Sequence, residues 1–423
     1  MEKIICPRGT ADILPQDVDA WKRLEAISSK ICKSYCYKEI RTPVFEEIGL
    51  FKRSLGQSSE VVHKQLLELS SNKGDNAFAL RPEGTASIVR SYIQNGLSKK
   101  ETVSKLFYIG PMFRGERPQK GRLRQFHQMG AEVIGPKANH PYFDIEVISL
   151  LKDLLNSFGL NDFVLKINNL GTEKDKSIMA DAFRDMLEKD KNNLCEDCQS
   201  RFERNVFRVL DCKKDTCKSI VSKINFSEIA LSDESRNYFD AVIGGLKDYS
   251  IDFEICPYLV RGLDYYTHTV FEVSYAGLGA QDAIGAGGRY NNLVAQLGGP
   301  EVSAIGFALG IERILLALED QNKFSDTAKG FSIDAFIVTF PELFDEVKLL
   351  LNDLRQKRFS VDIDYHTGSF KSQMRQANKM NARYALIIGE DEWKDKMITV
   401  KSMESGEQEK VSIDKIEEFL KKG

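Results

Sequence analysis

The sequence predicts an α+β domain built on a central antiparallel sheet. A helical insertion interrupts it, and a smaller α/β domain with a mostly parallel sheet follows. Three observations carry this. Apolar, alternating segments at 104–135 and again at 258–320 suit half-buried antiparallel strands. Between them, residues 172–250 are charged, helical in pattern and Cys-bearing. After about residue 331, strand-like and helix-like segments alternate, which implies right-handed crossovers and parallel pairing. The expected divisions are thus 1–325, with the insertion 172–250 inside it, and 331–423.

The elements follow in order. Residues 17–38 carry apolar residues at helical spacing after an acidic start. "EIRTPVFEEIGLF" contains a short extended run ended by Pro43. "FALRPEGTASIVRSYIQNGL" reads as a strand, a turn and a helix from about Ala86. "SKLFYIGPMFR" and "RQFHQMGAEVIG" form an antiparallel hairpin across a long basic tip. "HPYFDIEVISLLKDLLNSFGL" is an amphipathic helix closed by Gly159. "QNKFSDTAKG" reads as a linker before the strand "IDAFIVTF", and a second helix of the last domain lies near 369–380.

Composition narrows the function. The chain has 423 residues and a net charge of −3, so any nucleic-acid surface is local. No uncharged apolar run is long enough to span a bilayer, and the N-terminus lacks the apolar core of a signal peptide, so a cytoplasmic location is expected. The eight cysteines are expected as thiols rather than a disulfide framework. No H-E-x-x-H occurs, which excludes that class of zinc hydrolase.

The stretch "FRGERPQKGRLRQFHQ" sets the chemical question, because it places dense positive charge at the end of a core strand. No G-x-x-x-x-G-K-[ST] is present, and "GAGGRY" has Tyr290 where a dinucleotide fingerprint needs its third glycine. Phosphate must therefore be held by side chains, for which the planar fork of Arg is suited. Arg114, Arg122, Arg124, Arg261 and Arg313 all sit in or beside apolar, Gly-punctuated runs, where an unpaired guanidinium is costly. Glu83, Thr85 and Glu132 punctuate similar runs and suit an ammonium or imidazole. These residues fit a site for one nucleotide and one cationic small molecule; an internal network of ion pairs would use the same ones.

The motifs together resemble the class II aminoacyl-tRNA synthetases, and closely the bacterial-type histidyl-tRNA synthetase family. "RTPVF" resembles the class II dimer-interface motif, "FRGERPQKGRLRQFHQMGAE" motif 2 and "GFALGIER" motif 3. "RPEGT" and "RGLDYYTHTVFE" are similar to the histidine-specific elements, and the HIGH and KMSKS motifs of class I are absent. The resemblance implies that Arg114 contacts the ATP α-phosphate and the histidine carboxylate, with Glu116 near ATP. It implies Phe126 stacked on adenine, Arg122 on the γ-phosphate and Arg313 against the nucleotide. Glu83, Thr85 and Gln128 would hold the α-ammonium of histidine. Glu132 and Tyr266, with Tyr265 beside them, would read its imidazole. Arg261 would stabilise the reacting α-phosphate, so Arg261 and Arg114 are the catalytic pair.

The same resemblance implies ATP with Mg²⁺, L-histidine and a histidine tRNA as ligands, and a homodimer. Gln119 and Lys120 would meet the acceptor end, and the segment from about 331 would be an anticodon-binding domain. A non-catalytic regulatory subunit of ATP phosphoribosyltransferase on the same scaffold is the alternative. Such proteins lack the C-terminal domain and lose the ATP-binding arginines, whereas this chain has both.

Two loose ends remain in the insertion. "CEDC" and "CKKDTC" place Cys195, Cys198, Cys212 and Cys217 at spacings compatible with a structural zinc site. Related insertions commonly lack some of these thiols, so zinc is not expected and four reduced cysteines on helices are. In "NVFRVLD", Val206 stands where the family often has proline.

Overall fold

The computed structural model describes residues 3–56, 59, 61–70, 77–212, 214–224, 231–323 and 333–422. The chain divides into two units, Met1–Thr327 and Ala328–Gly423. Most of the linker expected at 321–330, and both domain limits placed around it, fall on residues 324–332, outside the described ones.

In the first unit the strands run β1 (Lys38–Glu39), β2 (Phe45–Glu47), β3 (Glu68–Leu69), β4 (Phe78–Leu80), β5 (Ser104–Phe113) and β6 (Gln125–Gly135). They continue as β7 (Val164–Asn169), β8 (Glu254–Ile255), β9 (Thr267–Ser274), β10 (Ala283–Arg289) and β11 (Ser303–Gly310). Eight form one sheet in the order β1-β5-β6-β11-β10-β9-β7-β8, and β2-β4-β3 form a small separate one. The five inner pairings are antiparallel; only the short edge strands β1 and β8 pair in parallel.

Strand parity assigns each residue to one of two faces. On β5 and β6 the odd positions Phe107, Met129, Ala131 and Val133 enter one core. That core is completed by the helix Pro141–Phe158, which buries Val147, Leu150, Leu151 and Leu154. Gly159, at φ +94°, closes this helix in the left-handed conformation. The even positions Leu106, Tyr108, Met112, Phe126 and Ile134 lie on the other face, under the helix Thr85–Gln94. The helix expected over 17–38 spans Pro15–Ser34 and also packs on the odd face, through Leu24 and Cys32.

Arg289, an odd position of β10, carries its charge into the first core and is fully buried. It is paired there with Asp144 of the helix Pro141–Phe158, its Nε lying 3.0 and 2.9 Å from the two carboxylate oxygens. Forked pairing of this kind offsets the desolvation that would otherwise expel both charges.

The insertion is helical, as its charge pattern predicts: Glu173–Leu187, Glu196–Arg204, Phe207–Leu210, Asp215–Val221 and Asp233–Asp248. Its last helix departs from the expected division, because Val242 and Leu246 are buried in the main core. The part with a core of its own gathers residues between Met179 and Ile224, including Cys198, Cys212 and Cys217.

In the second unit β12 (Ile333–Thr339), β13 (Val361–Ile363), β14 (Ala382–Ile388), β15 (Met397–Ser402) and β16 (Gln408–Ser412) lie in the order β13-β12-β14-β15-β16. The parallel part is β13-β12-β14, with the helices Phe344–Gln356 and Phe370–Lys379 as crossovers. β15 and β16 extend it in antiparallel fashion, so the sheet is mixed rather than mostly parallel. The edge strand β16 is mostly exposed and charged, whereas β15 buries Ile398 and Val400 in the core. Among the described residues no helix is long and apolar enough to cross a membrane.

Candidate active site

The basic stretch becomes a hairpin whose ladder runs past both strands. Met112 pairs with Phe126 and Gly110 with Gln128, and beyond them Arg114 N donates to Arg124 O at 2.8 Å. The link then closes as a tight turn, Gln119 N to Arg122 O at 3.0 Å and Arg122 N to Gln119 O at 2.9 Å. Gly121, at φ +72°, supplies the left-handed residue the turn needs. Arg122 is thereby folded back toward the sheet, while Gln119 and Lys120 stay exposed at the tip.

Beneath the hairpin lies a cleft of about 330 Å³ on the even face of the sheet. Arg114, Glu116, Arg122, Phe126 and Arg313 line one part of it. Arg114 Nε donates to Pro82 O at 2.9 Å, and its guanidinium stands 5.1 Å from the Phe126 ring centre. Arg313 donates from Nε to Gly121 O at 3.0 Å, and from Nη1 to Gln281 O at 3.1 Å and to Ala283 O. Carbonyl anchors fix a guanidinium without neutralising it. Burial, and after it the neighbouring Arg122, lowers the pKa of Arg313; burial likewise lowers that of Arg114. Among the described residues, Arg122 is ion-paired with Glu116 alone, Nη1 to Oε2 at 3.5 Å. The cluster holds more positive charge than its own carboxylates balance, as an anion site requires.

Glu83, Thr85, Gln128, Tyr265, Tyr266 and Arg261 line the rest of the cleft. Glu83 accepts from the Thr85 and Ala86 amides at 2.7 and 2.9 Å, so it caps the helix Thr85–Gln94 from inside the site. Arg261 is ion-paired with Glu272 of β9. Gln128 Oε1 and Arg261 Nε are buried with no hydrogen-bond partner among the described residues. Such orphaned atoms are costly unless a ligand meets them.

Glu132 is 1% exposed and lies behind Thr85, outside the set of cleft-lining residues. It accepts from Thr85 Oγ1 at 2.7 Å and from Tyr290 OH at 2.5 Å. Burial pushes its pKa up to about 8, against the two hydroxyl hydrogen bonds. Room for this carboxylate comes from Gly306 across the ladder, where a Cβ would lie 1.7 Å from Glu132 Oε2.

Some cleft residues are not foreseen in the sequence. Arg208 and Asp211 come from the insertion. Arg208 Nη2 donates to Gly262 O and pairs with Asp264 at 3.7 Å, while Asn205 Nδ2 donates to Asp264 Oδ1 at 2.9 Å. The insertion thus braces the loop that carries Arg261. Glu312, visible inside "GFALGIER", lines the cleft and accepts from His127 N at 2.9 Å. His127 itself points to the odd face, its ring 4.8 Å from Trp21, which gives it a structural role.

The four insertion cysteines are not simply four thiols on helices. Cys195 caps the helix Glu196–Arg204, Cys198 lies within it, and Cys212 follows Phe207–Leu210. With Cys217 of Asp215–Val221, their sulfurs all lie within 4.8 Å of one another.

A sequence profile described as "Histidyl-tRNA synthetase" matches residues 9–314, and one described as "Anticodon binding domain" matches 334–423. The chain belongs to the histidyl-tRNA synthetase family. Among similar curated members, the histidine–tRNA ligase of Desulforamulus reducens is 41% identical over 416 residues, covering 98% of each chain. That of Staphylococcus saprophyticus is 44% identical over 423 residues, covering 98% of this chain and 99% of its own. The apo S. aureus histidyl-tRNA synthetase superposes with a TM-score of 0.82 at 37% identity, covering 99% of this chain and all of that one. A Bacillus halodurans protein described as an ATP phosphoribosyltransferase regulatory subunit/histidyl-tRNA synthetase shares the fold, at 20% identity and TM-score 0.66.

Proposed function

We propose that this chain is a cytoplasmic, homodimeric histidine–tRNA ligase. It joins L-histidine to ATP as histidyl-adenylate and then to the 3′ end of its tRNA. The supporting observation is one cleft lined by Arg114, Arg122, Arg261 and Arg313, whose lining also holds two buried polar atoms without partners among the described residues, Gln128 Oε1 and Arg261 Nε. The regulatory alternative is not favoured, because the arginines are all in the cleft and the second unit carries the anticodon-binding match.

In the first step the histidine carboxylate oxygen bonds to the ATP α-phosphorus as the bond from that phosphorus to the bridging oxygen breaks, and pyrophosphate leaves. No base is needed, since the carboxylate is already ionised. Charge grows on the non-bridging oxygens, and Arg114 and Arg261 meet it as pre-positioned donors. Glu83, Thr85 and Gln128 receive the α-ammonium, while Phe126 stacks on adenine with Arg122 and Arg313 on the phosphates. Glu116 and Glu312 give the wall the partial carboxylate set that suits Mg²⁺ carried on phosphates, where it would neutralise their charge.

The imidazole is read by Tyr266, with Tyr265 beside it and Glu132 behind Thr85. Paired polar groups of this kind reject isosteres that would leave them unpartnered. In the second step a ribose hydroxyl of the tRNA attacks the acyl carbon, AMP leaves and the hydroxyl proton is released. Gln119 and Lys120 meet the acceptor end at the exposed tip. Dimerisation is supported by Val44 and Phe45, which remain 40% and 48% exposed within "RTPVF"; a monomer in sedimentation would count against it.

Pyrophosphate exchange into ATP, driven by each amino acid in turn, tests the activity. Exchange with histidine alone is expected, and its absence in folded protein overturns the reading.

A further inference from the structure

We infer that Cys195, Cys198, Cys212 and Cys217 form a structural site for a single zinc ion. The inference rests on geometry within the insertion and is independent of the ligase reading. All four sulfurs lie within 4.8 Å of one another, with Cys195 and Cys212 at 4.0 Å. Four thiolates around one tetrahedral zinc, each at about 2.3 Å, stand about 3.8 Å apart, so small inward shifts complete the shell. The mutual closeness suits one metal ion. A tetrahedral all-sulfur set favours zinc among the common divalent cations.

The surroundings point the same way. Cys198, Cys212 and Cys217 are buried, and Cys195 is half-buried. The Cys195 amide donates to Cys217 Sγ at 3.3 Å, which ties the two Cys pairs to each other. Phe202, Val206, Val209 and Ile220 enclose the set. The helices it joins are nine, four and seven residues long, too short to persist unaided. A core this small is the kind that needs a cross-link.

The site also has a connection to the cleft. Asn205 and Arg208 lie between the two Cys pairs and hold Gly262 and Asp264, beside Arg261. The metal fixes the brace rather than entering the chemistry.

The test is metal analysis of the full chain purified without chelator, followed by cobalt titration of the chelator-treated protein. About one zinc per chain is expected. Cobalt should give thiolate charge-transfer and tetrahedral d–d absorption that saturates near about one equivalent. Either signal, abolished in both Cys198→Ser and Cys217→Ser, supports the site. Less than about a tenth of an equivalent of zinc, together with no cobalt absorption, overturns it. So does metal retained by both variants, or iron in place of zinc. Because a variant can lose metal by failing to fold, thiols are also counted in denatured, unreduced wild-type protein. All eight free thiols are expected, and two missing through a Cys195–Cys212 disulfide would overturn the site.

Discussion

Thr85 Oγ1 donates to Glu132 Oε1 across 2.7 Å, tying the first turn of a helix to the middle of the sheet's central hairpin. The bond links a residue on the cleft wall to a carboxylate that water barely reaches. On the proposed reading, a substrate held at Thr85 is coupled through this bond to the ionisation of Glu132.

The pH dependence of stability follows from that carboxylate. Its pKa is about 8 in the folded chain against 4.5 in the open one. The folded state therefore binds the extra proton between those values, and stability falls as pH rises through the window. Subtracting the thermal-stability profile of Glu132→Gln from that of the wild type should leave a difference that declines from about pH 5 to about pH 8. Parallel profiles would show that Glu132 titrates normally.

Gly306→Ala should damage the same pocket from the neighbouring strand. Its Cβ would meet Glu132 Oε2 at 1.7 Å and the Ala131 carbonyl at 2.5 Å, and the backbone contact has no easy relief. A stability loss of about 1–3 kcal/mol is expected in urea unfolding. Displacement of the carboxylate by about 1 Å should lower histidine-dependent pyrophosphate exchange roughly 100-fold. Wild-type values in both assays would refute the close approach.

Arg261→Ala should slow adenylate formation by about 10²- to 10³-fold in single-turnover assays while the fold persists. Its ion-pair partner Glu272 is 20% exposed at the side chain and can be solvated after the loss. An unchanged rate would reject the role given to this arginine.

Asp144→Asn should cost about 3–5 kcal/mol, because it leaves the buried Arg289 guanidinium without its counter-ion. Chemical denaturation measures this directly. A loss below about 1 kcal/mol would mean that the pair is hydrated in solution.

Lys120→Ala should leave pyrophosphate exchange unchanged but weaken tRNA binding. If the lysine meets one phosphate, the slope of log affinity against log salt should fall by about 0.7–0.9. Equal slopes would remove the turn from the RNA surface.

Much of the site was legible because its residues sit in short, local runs. Arg114, Arg122, Phe126 and Gln128 lie in one hairpin, so alternation plus charge marked the arginines and the motif resemblance added Phe126 and Gln128. Arg208 and Asp211 were not legible, since the insertion reaches the cleft by tertiary packing that no local pattern encodes. The Arg289–Asp144 pair joins positions 145 residues apart, and in sequence each looks like a surface charge. The gathering of the four cysteines depends on how short helices turn between them, which spacing alone leaves open. In the second unit, β15 carries a short alternation, with Ile398 and Val400 buried, but β16 is exposed and charged, so nothing in the sequence marked the pair as a hairpin.

The division of β5 and β6 into an even face that includes the cleft side and an odd face that packs under the helix Pro141–Phe158 limits how the gene can change. Deleting one codon within Gln125–Gly135 would reverse the faces of the residues on one side of the gap, turning Phe126 and Gln128 toward the odd-face core or Ala131 and Val133 toward the even face. Losing two would restore the faces but slide every pairing by one repeat. Length variation in relatives should therefore gather at the turn from Glu116 to Gly121, where residues can be added without changing which face any other residue occupies.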